Sequence, residues 1–412
     1  MGHRWRALVA AAALGWTAAT LAACGTSPST ADVAGSRRCA ATASVTDTAI
    51  NLGLLYSGSG VGADPSIQFR AGVDARLDEQ NAQGGINGRH VAYDLQNDES
   101  RPEMNLVVGR RLAEEKQVLS ILQFSVAPTG AADLLDKAGI ATVEGVVPNP
   151  VNHSNVFSYS RPLSQQPPSS NWGEFIAQHG GRRALTVSVE FSEATQALAG
   201  FAAQSLRAAG INVVGTLQAP GSGFDTAAFG ARIRATGADS IIAFVPASIF
   251  YQMVAGARAA GVNLTVALGN IATYDPTALA GVGAAAAGAY SFLDYAPFEI
   301  DSPAHRRFQT AMNLYSPQAA GHPQGVSLIG WISADLLLRG LEAAGPCPTR
   351  QTVLDGLRSV QNYNADGLLP APISLRSGIG AIAPCYDYVQ VNQAGTGFDV
   401  VRPAPQCGRI LS

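Results

Sequence analysis

The sequence predicts an α/β protein made of two doubly wound, Rossmann-like lobes, and three observations support this fold class. From residue 49 onwards, short apolar runs alternate with longer stretches whose apolar residues recur at helical spacing, as in parallel sheets covered by helices. A polar, proline-rich stretch at Ser160–Ser170 interrupts this alternation, which then restarts. The chain has 412 residues, of which 47% are hydrophobic, and this is enough for two cores.

The first lobe takes its predicted elements from residues 49–144. The run Ala49–Tyr56 is predicted as a buried strand, and Pro65–Gln83 follows as a helix with apolar residues every three or four positions. A proline at the first helical position is favourable and predicts the start of the helix Pro102–Glu115. The other predicted elements are the strands His90–Leu95, Val118–Phe124 and Ile140–Glu144 and the helix Ala127–Ala138.

The second lobe repeats the alternation of strand and helix. Its predicted strands are Ala184–Val189, Val213–Leu217, Ser240–Val245, Leu264–Leu268 and Ala289–Leu293. Its predicted helices are Glu193–Ala209, Thr226–Ala235 and Ile249–Ala260. Three further helices follow, at Ala304–Tyr315, Gly325–Ala344 and Thr349–Val360. The chain ends with Tyr386–Val391 and Phe398–Arg402, which the glycine-containing segment 392–397 joins into a predicted β-hairpin.

The first 24 residues have the layout of a secretory signal peptide. Arg4 and Arg6 precede a run of small apolar residues, and Leu-Ala-Ala-Cys ends the segment at Cys24. This ending resembles the bacterial lipobox, which implies cleavage before Cys24 and a lipid on that cysteine. We therefore predict a signal peptide at 1–23, a lipidated Cys24 with a flexible tether at 24–47, and an exported protein anchored at the outer face of the cell membrane. The alternative is an ordinary secreted protein in which Cys24 is incidental.

The remaining cysteines predict two disulfide bonds. Cys39, Cys347, Cys385 and Cys407 are an even number in a chain bound for an oxidising compartment. The pairing cannot be read from the sequence. We favour Cys347 with Cys385 and Cys39 with Cys407, because the second bond would tie the two ends of the mature chain together.

Composition and motifs argue against an enzyme, a nucleic-acid partner, a metal site or a cofactor. The net charge is −3, and basic residues do not cluster with aromatic ones. The six histidines lack metal-ligand spacing, and the sequence contains neither GxSxG nor GxxxxGKS/T. The glycines after the first strand, at 58, 60 and 62, do not have dinucleotide-binding spacing. We interpret the acidic residues Asp94, Asp98 and Glu99 as a solvated turn after a strand.

An ordered set of motifs resembles one family. The segment 84–89, with the sequence GGINGR, is followed by a strand and by Asp98-Glu99-Ser100. The segments 224–229 and 237–242 are similar to an acidic turn, a helix and an Ala-Asp-initiated strand of the second lobe, and Trp331–Gly345 resembles a long return helix. Together these segments resemble the type I periplasmic-binding proteins of the branched-chain amino-acid (Leu/Ile/Val) type over nearly all of residues 48–400.

The resemblance implies a two-lobed clamp that closes on a small molecule by hinge motion and delivers it to the membrane subunits of an ABC importer. It implies a first lobe of residues 48–163 plus 296–360 and a second lobe of residues 164–295 plus 361–412. The chain would cross between the lobes near Ser160–Pro168, Leu293–Phe298 and Ser359–Ala365. We expect a monomer that performs no chemistry itself.

The resemblance also indicates a changed ligand. In amino-acid-binding members a hydroxyl after the third strand meets the ligand carboxylate, and Ser125 matches that position. The other expected polar and acidic side chains fall on Val147, Ala194, Pro246 or Ala247, and Asn270 or Ile271. A buried ammonium without a carboxylate partner is costly, so we predict a small, mostly apolar acid or amide in place of an amino acid. The predicted ligand-binding residues are Tyr56, Ser57, Phe124, Ser125, Val147, Pro246, Ser248, Asn270, Tyr274 and Tyr295.

Two alternative functions stay open at this stage. A sensing subunit of the same fold would bind a ligand but report through a partner protein. A true branched-chain amino-acid binder would mean that the residues around Asn270 are misplaced in our assignment.

Overall fold

A computed structural model of the chain describes residues 39–145, 153–162, 168–190, 192–220, 223–320 and 325–411. The first sheet contains β1 (Ala49–Tyr56), β2 (His90–Asn97), β3 (Ile121–Phe124), β4 (Thr142–Glu144) and β5 (Val156–Phe157). The strands are all parallel, in the order β2-β1-β3-β4-β5. Three helices alternate with them, α1 (Ala63–Ala82), α2 (Pro102–Arg110) and α3 (Ala132–Lys137). The predicted parallel sheet of the first lobe is therefore present.

The second sheet begins with five parallel strands, β6 (Arg183–Val189), β7 (Asn212–Ala219), β8 (Ser240–Ala243), β9 (Val266–Gly269) and β10 (Tyr290–Leu293). The helices of this region are α4 (Asn171–Gln178), α5 (Glu193–Ala208), α6 (Thr226–Thr236), α7 (Ala247–Ala259) and α8 (Pro276–Ala280). Local signals fix several helix ends. Asp225 accepts a hydrogen bond from the Ala228 N–H at the start of α6, and Gly237 ends that helix with a φ of 64°.

The last third of the chain adds three helices to the first lobe and three strands to the second sheet. The helices α9 (Pro303–Tyr315), α10 (Gly325–Ala343) and α11 (Arg350–Ser359) return to the first sheet, where α9 and α10 pack on α1. A Cβ on Gly72 of α1 would overlap the Ser327 carbonyl oxygen of α10, so glycine permits the close approach of these two helices. The strands β11 (Cys385–Val391), β12 (Phe398–Val400) and β13 (Gln406–Cys407) then join the second sheet.

The second sheet is therefore mixed. Its order is β12-β11-β10-β9-β8-β6-β7, with β13 paired to β11. β11 pairs antiparallel with β10, β12 and β13. The predicted C-terminal β-hairpin is confirmed by the pairing of β11 with β12, and the predicted α/β fold class is confirmed by the two sheets.

The chain passes between the two sheets three times. We call residues 158–162 and 168–170 the first crossing, residues 294–302 the second crossing and residues 360–384 the third crossing. The third crossing is longer than we predicted. It contains two short 3-10 helices, at Ala365–Gly367 and Ile379–Ala381.

Three helices differ from the prediction, and one of them is the short α8 (Pro276–Ala280), which we did not predict. We did not predict α4, because it follows the polar, proline-rich stretch directly. Trp172, Phe175 and Ile176 nevertheless bury one face of this helix. The predicted helix Ala127–Ala138 is shorter in the structure and begins at Ala132, after a turn that contains Pro128 and Gly130.

The disulfide pairing that we favoured is wrong. The structure joins Cys39 to Cys347 and Cys385 to Cys407, with Cα–Cα distances of 5.2 and 4.0 Å. The antiparallel pairing of β13 with β11 places Cys407 directly opposite Cys385. At the other bond, Arg89 holds the loop before α11 through the Pro346 carbonyl oxygen at 2.9 Å. The two sheets, and not the order of cysteines along the chain, determine which sulfurs meet.

Candidate functional site

The candidate site is built from the loops that follow the parallel strands. In sheets of this kind, ligands bind beyond the carboxyl ends of the strands, where loops present side chains and backbone N–H groups. In the first lobe these loops follow β1, β2, β3 and β4. In the second lobe they follow β6, β8, β9 and β10. The predicted signal peptide, the predicted lipidation site Cys24 and the predicted ligand-binding residue Val147 lie outside the described residues.

The carboxylate of Asp98, directly after β2, is the centre of a buried hydrogen-bond network. Its Oδ1 accepts from the Ser57 hydroxyl at 2.8 Å and from the Ser100 backbone N–H at 2.9 Å. Its Oδ2 accepts from the Asn105 side-chain amide at 3.0 Å and from the Ser125 hydroxyl. Asp98 is completely buried, with 0% of its surface exposed. Our interpretation of this residue as part of a solvated turn is therefore wrong.

Ser57 and Ser125, two predicted ligand-binding residues, are held by this network. Each hydroxyl donates its hydrogen to Asp98 and also accepts a backbone N–H, from Val126 at 3.1 Å and from Ala127 at 2.8 Å respectively. The two hydroxyl oxygens lie 3.4 Å apart. A hydroxyl has a single hydrogen and two lone pairs, and each hydrogen is directed at Asp98, so each serine keeps one lone pair for another partner. Ser57 is fully buried, whereas Ser125 is half-buried. Ser125 is therefore the member of the pair that a ligand can reach.

Two aromatic rings stand near the serines. Phe124, at the end of β3, stacks on Phe69 of α1 with ring centroids 4.7 Å apart. Tyr56, at the end of β1, packs against the loop that follows it. This contact is so close that a Cβ on Gly58 would overlap the Tyr56 ring. Both side chains are half-buried. They give the first lobe an aromatic surface next to Ser125.

The second lobe contributes polar side chains that already accept hydrogen bonds from backbone N–H groups. Asn270, after β9, accepts a hydrogen bond from the Ala272 N–H at 2.8 Å and so caps a short 3-10 helix. Asp275 accepts from the N–H groups of Thr277 and Ala278 and caps α8. Two other predicted ligand-binding residues, Pro246 and Ser248, are exposed at the start of α7.

Tyr274 and Tyr295 pack around the second crossing. The Tyr274 hydroxyl donates to Glu299 at 2.6 Å and accepts from the Phe298 N–H at 3.1 Å. Burial and the nearby Glu299 carboxylate raise the pKa of Tyr274 above its usual range. Tyr295 is 2% exposed, and a Cβ on Gly325 would lie 2.5 Å from its hydroxyl oxygen. The structure thus places Tyr274 against the second crossing and Tyr295 against the start of α10.

Sequence reasoning missed Glu144, at the end of β4. This carboxyl is buried and accepts from the Gln123 side-chain amide at 2.8 Å. Burial raises the pKa of Glu144 to about 8, against the opposing effect of Gln123, so the side chain is neutral at pH 7. The signal was available, because Glu144 is the single charged residue of the predicted strand Ile140–Glu144.

The described residues contain neither a candidate metal cluster nor a candidate membrane-spanning helix. Their His, Cys, Asp and Glu side chains form no cluster of three or more that could hold a metal ion. Within the same part of the chain, every helix is too short or too polar to cross a membrane.

Comparison with known proteins places these features in context. A family model described as periplasmic binding protein matches residues 49–396. No curated protein matches the sequence significantly. Similar solved structures include an ABC transporter substrate-binding protein from Sphaerobacter thermophilus, with a TM-score of 0.74 at 18% identity, covering 87% of this chain and 98% of that chain.

Two other similar structures contain ligands. The branched-chain amino acid transporter substrate binding protein LivJ from Streptococcus pneumoniae, in complex with isoleucine, has a TM-score of 0.70 at 16% identity and covers 86% of this chain and 100% of that chain. An ABC transporter solute binding protein from R. palustris, in complex with 4-hydroxybenzoate, has a TM-score of 0.70 at 19% identity and covers 87% and 97%. At these identities the likeness shows the fold.

Proposed function

The chain belongs to the periplasmic binding protein family, and we propose that it is the extracytoplasmic solute-binding subunit of an ABC importer. In this proposal the two lobes capture a small, mostly apolar acid or amide, and the protein performs no chemistry on it. The match over residues 49–396 carries the proposal, because it includes the first sheet, strands β6 to β11 of the second sheet and all three crossings.

The proposal also includes the boundaries of the two lobes and a lipid anchor. We assign residues 48–163 plus 296–360 to the first lobe and residues 164–295 plus 361–412 to the second lobe. The protein would act as a monomer, held at the outer face of the membrane by a lipid on Cys24. A short tether would then keep the binding lobes close to the importer's membrane subunits.

The polarity of the described loops supports the proposed ligand class. The half-buried rings of Tyr56 and Phe124 offer apolar contact area, and Ser125 keeps one lone pair. The carboxylate of Asp275 caps α8, and the amide of Asn270 caps a 3-10 helix. Both cap bonds of Asp275 are accepted by its Oδ1, so a ligand ammonium there would share this carboxylate with the start of α8, whereas an apolar group needs no charged partner. Mostly apolar linings with a few polar groups are typical of small-molecule sites.

A thermal-shift screen of the purified full chain tests this function. A ligand that binds only the folded state raises the melting temperature. We expect a rise with 4-hydroxybenzoate, benzoate, hexanoate or benzamide, and none with leucine, isoleucine or valine. A rise with the branched-chain amino acids alone would instead support an amino-acid binder and contradict the proposed ligand class.

A blocked variant and a matched control locate the binding site. Ser248 is exposed at the start of α7, and Thr48 is exposed before β1, at the opposite end of the strands. Ser248→Trp is expected to abolish the ligand-induced rise, because the indole would fill space beside the second-lobe loops. Thr48→Trp adds the same group and is expected to leave the rise unchanged. Equal responses from both variants would place the ligand elsewhere.

A further inference from the structure

The three crossings meet around a small cavity. Its walls come from Ser160 and Arg161 of the first crossing, Asp294 of the second crossing, residues 369–373 of the third crossing and the start of β11. About 30 Å³ is open to the centres of water molecules, which is room for about two waters at roughly 10–15 Å³ each. The cavity therefore lies where any change in the angle between the lobes would alter its width.

Two polar atoms at this cavity have no hydrogen-bond partner among the described residues. They are the Tyr159 hydroxyl and Oδ1 of Asp294, and neither atom is accessible to water. Tyr159 is only 2% exposed, whereas other atoms of Asp294 keep some exposed surface. Buried polar atoms are normally paired, so the partners of these two atoms must come from water in the cavity or from a different arrangement of the lobes.

The groups that face Asp294 offer little compensation for a negative charge. From the neighbouring segments these are the phenols of Tyr159, Tyr295 and Tyr386, which burial keeps neutral by raising their pKa. The Ser160 hydroxyl lowers the pKa of Asp294, but burial dominates and raises it to about 6. Arg161 also lines the cavity, near Tyr386, and burial lowers its pKa. The third crossing contributes aliphatic side chains and prolines.

We propose that this cavity makes the hinge a proton-controlled switch. A neutral Asp294 favours the arrangement of the lobes seen here, and a charged Asp294 favours an arrangement in which water reaches the carboxylate. A buried charge with too few hydrogen-bond partners is costly, and the cavity walls belong to three segments that each link the lobes. Moving the hinge would widen the cavity beyond the roughly two waters that fit here and so hydrate Asp294 more fully without unfolding a lobe. The inference rests on the proposed function only in requiring lobes that move.

The sign of the effect follows from proton linkage. The arrangement seen here raises the pKa of Asp294 from 3.8 to about 6, so between these values it binds more protons than an arrangement with a hydrated carboxylate. Its population relative to the hydrated arrangement should rise as the pH falls from 6 to 4, by up to about tenfold per pH unit and about a hundredfold in total. Above pH 6 the ratio should be constant.

Distance measurements between the lobes in the full chain, without any ligand, test this switch. Spin-labelled non-natural amino acids at Glu103 of α2 and Thr277 of α8, both exposed, would report the interlobe distance by double electron–electron resonance from pH 4 to pH 7.5. We expect two distance populations whose ratio changes between pH 4 and pH 6. Asp294→Asn, which is permanently neutral, should show the acid distribution at every pH.

Asp387→Asn provides the matched control. Burial also raises the pKa of Asp387 to about 6, but this residue lies within β11 and does not line the cavity. The Asp387→Asn chain is expected to keep the titration of the unaltered chain. An unchanged distance distribution from pH 4 to pH 7.5, or an Asp294→Asn chain that still titrates, would overturn the switch. Because no ligand is used, either result is independent of the thermal-shift screen of the proposed function.

Discussion

Asp98 follows β2 in the first lobe and Asp294 follows β10 at the hinge, and the two carboxyl groups are buried in opposite surroundings. Asp98 accepts hydrogen bonds from two hydroxyls, one amide and one backbone N–H. Oδ1 of Asp294 has no partner among the described residues, and burial raises its pKa to about 6. The comparison shows that the partners of a buried carboxyl decide whether its charge stabilises the fold or opposes it.

The difference also separates rigid from movable regions. The network around Asp98 ties the loops after β1, β2 and β3 to one another, and these loops carry the candidate ligand contacts of the first lobe. The cavity at Asp294 leaves space between the three crossings. A binding protein that closes around its ligand needs a fixed binding surface and a hinge with more than one acceptable packing.

Removing Asp98 should give the largest effect. Asp98→Ala leaves four donors without their acceptor in a buried site, so we expect the free energy of unfolding to fall by about 3–5 kcal/mol. Urea titration followed by circular dichroism would measure it. The exposed Glu114, in an ion pair of 3.9 Å with Arg110, is the control, and Glu114→Ala should cost no more than about 0.5 kcal/mol. A loss below about 1 kcal/mol for Asp98→Ala would show that the network contributes little.

Glu144 lies between Asp98 and Asp294 in its number of partners, because its buried carboxyl accepts one hydrogen bond, from the Gln123 amide. Its pKa is raised from 4.5 to about 8, so the unaltered chain should lose stability as the pH rises from 4.5 to 8. Glu144→Gln removes this loss, and we expect a gain of about 2–3 kcal/mol at pH 7 that disappears towards pH 4.5. Urea titrations at both values would measure it. A variant less stable than the unaltered chain at pH 7 would mean that the carboxylate is charged and paired.

Asp294→Asn should also stabilise the chain, in contrast to any change at Asp98. Above pH 6 the unaltered chain carries a poorly solvated charge, so we expect a gain of about 1–3 kcal/mol at pH 7.5. Because the side chain takes up a proton between 6 and 3.8, the gain should shrink towards pH 4. Thermal unfolding at both values would check it, with Asp98→Asn expected to destabilise at both. A loss of stability at pH 7.5 would place an unrecognised donor on Asp294.

Ser125→Ala should give the smallest effect. The substitution removes one donor to Asp98 and one acceptor for the Ala127 N–H, and we expect a loss of about 1–2 kcal/mol. Ser248 is exposed, and Ser248→Ala should change the free energy by no more than about 0.5 kcal/mol. Urea unfolding of both variants gives the comparison. Equal effects would show that Ser125 is not held by the buried network.

The order of strands and helices could be predicted from periodicity, because each element buries one face and its apolar residues repeat at the spacing of that element. The helix α4 escaped this reasoning because its buried face is short and follows a proline-rich stretch. Among the candidate site residues, the sequence indicated Ser125 and Phe124 at the end of β3. It did not indicate that Asp98 would hold Ser57 and Ser125, because those three residues lie on separate loops.

The sequence by itself determined the α/β class, the two-lobed organisation and the family, since these follow from local periodicity and from motifs of a few adjacent residues. The tertiary structure alone decided the pairing of Cys39 with Cys347, which are 308 residues apart, the partners of Asp98 and the cavity beside Asp294. Each of these depends on side chains that are distant in the chain and meet only when the sheets are assembled. Burial and hydrogen bonding are properties of those meetings, and no local pattern encodes them.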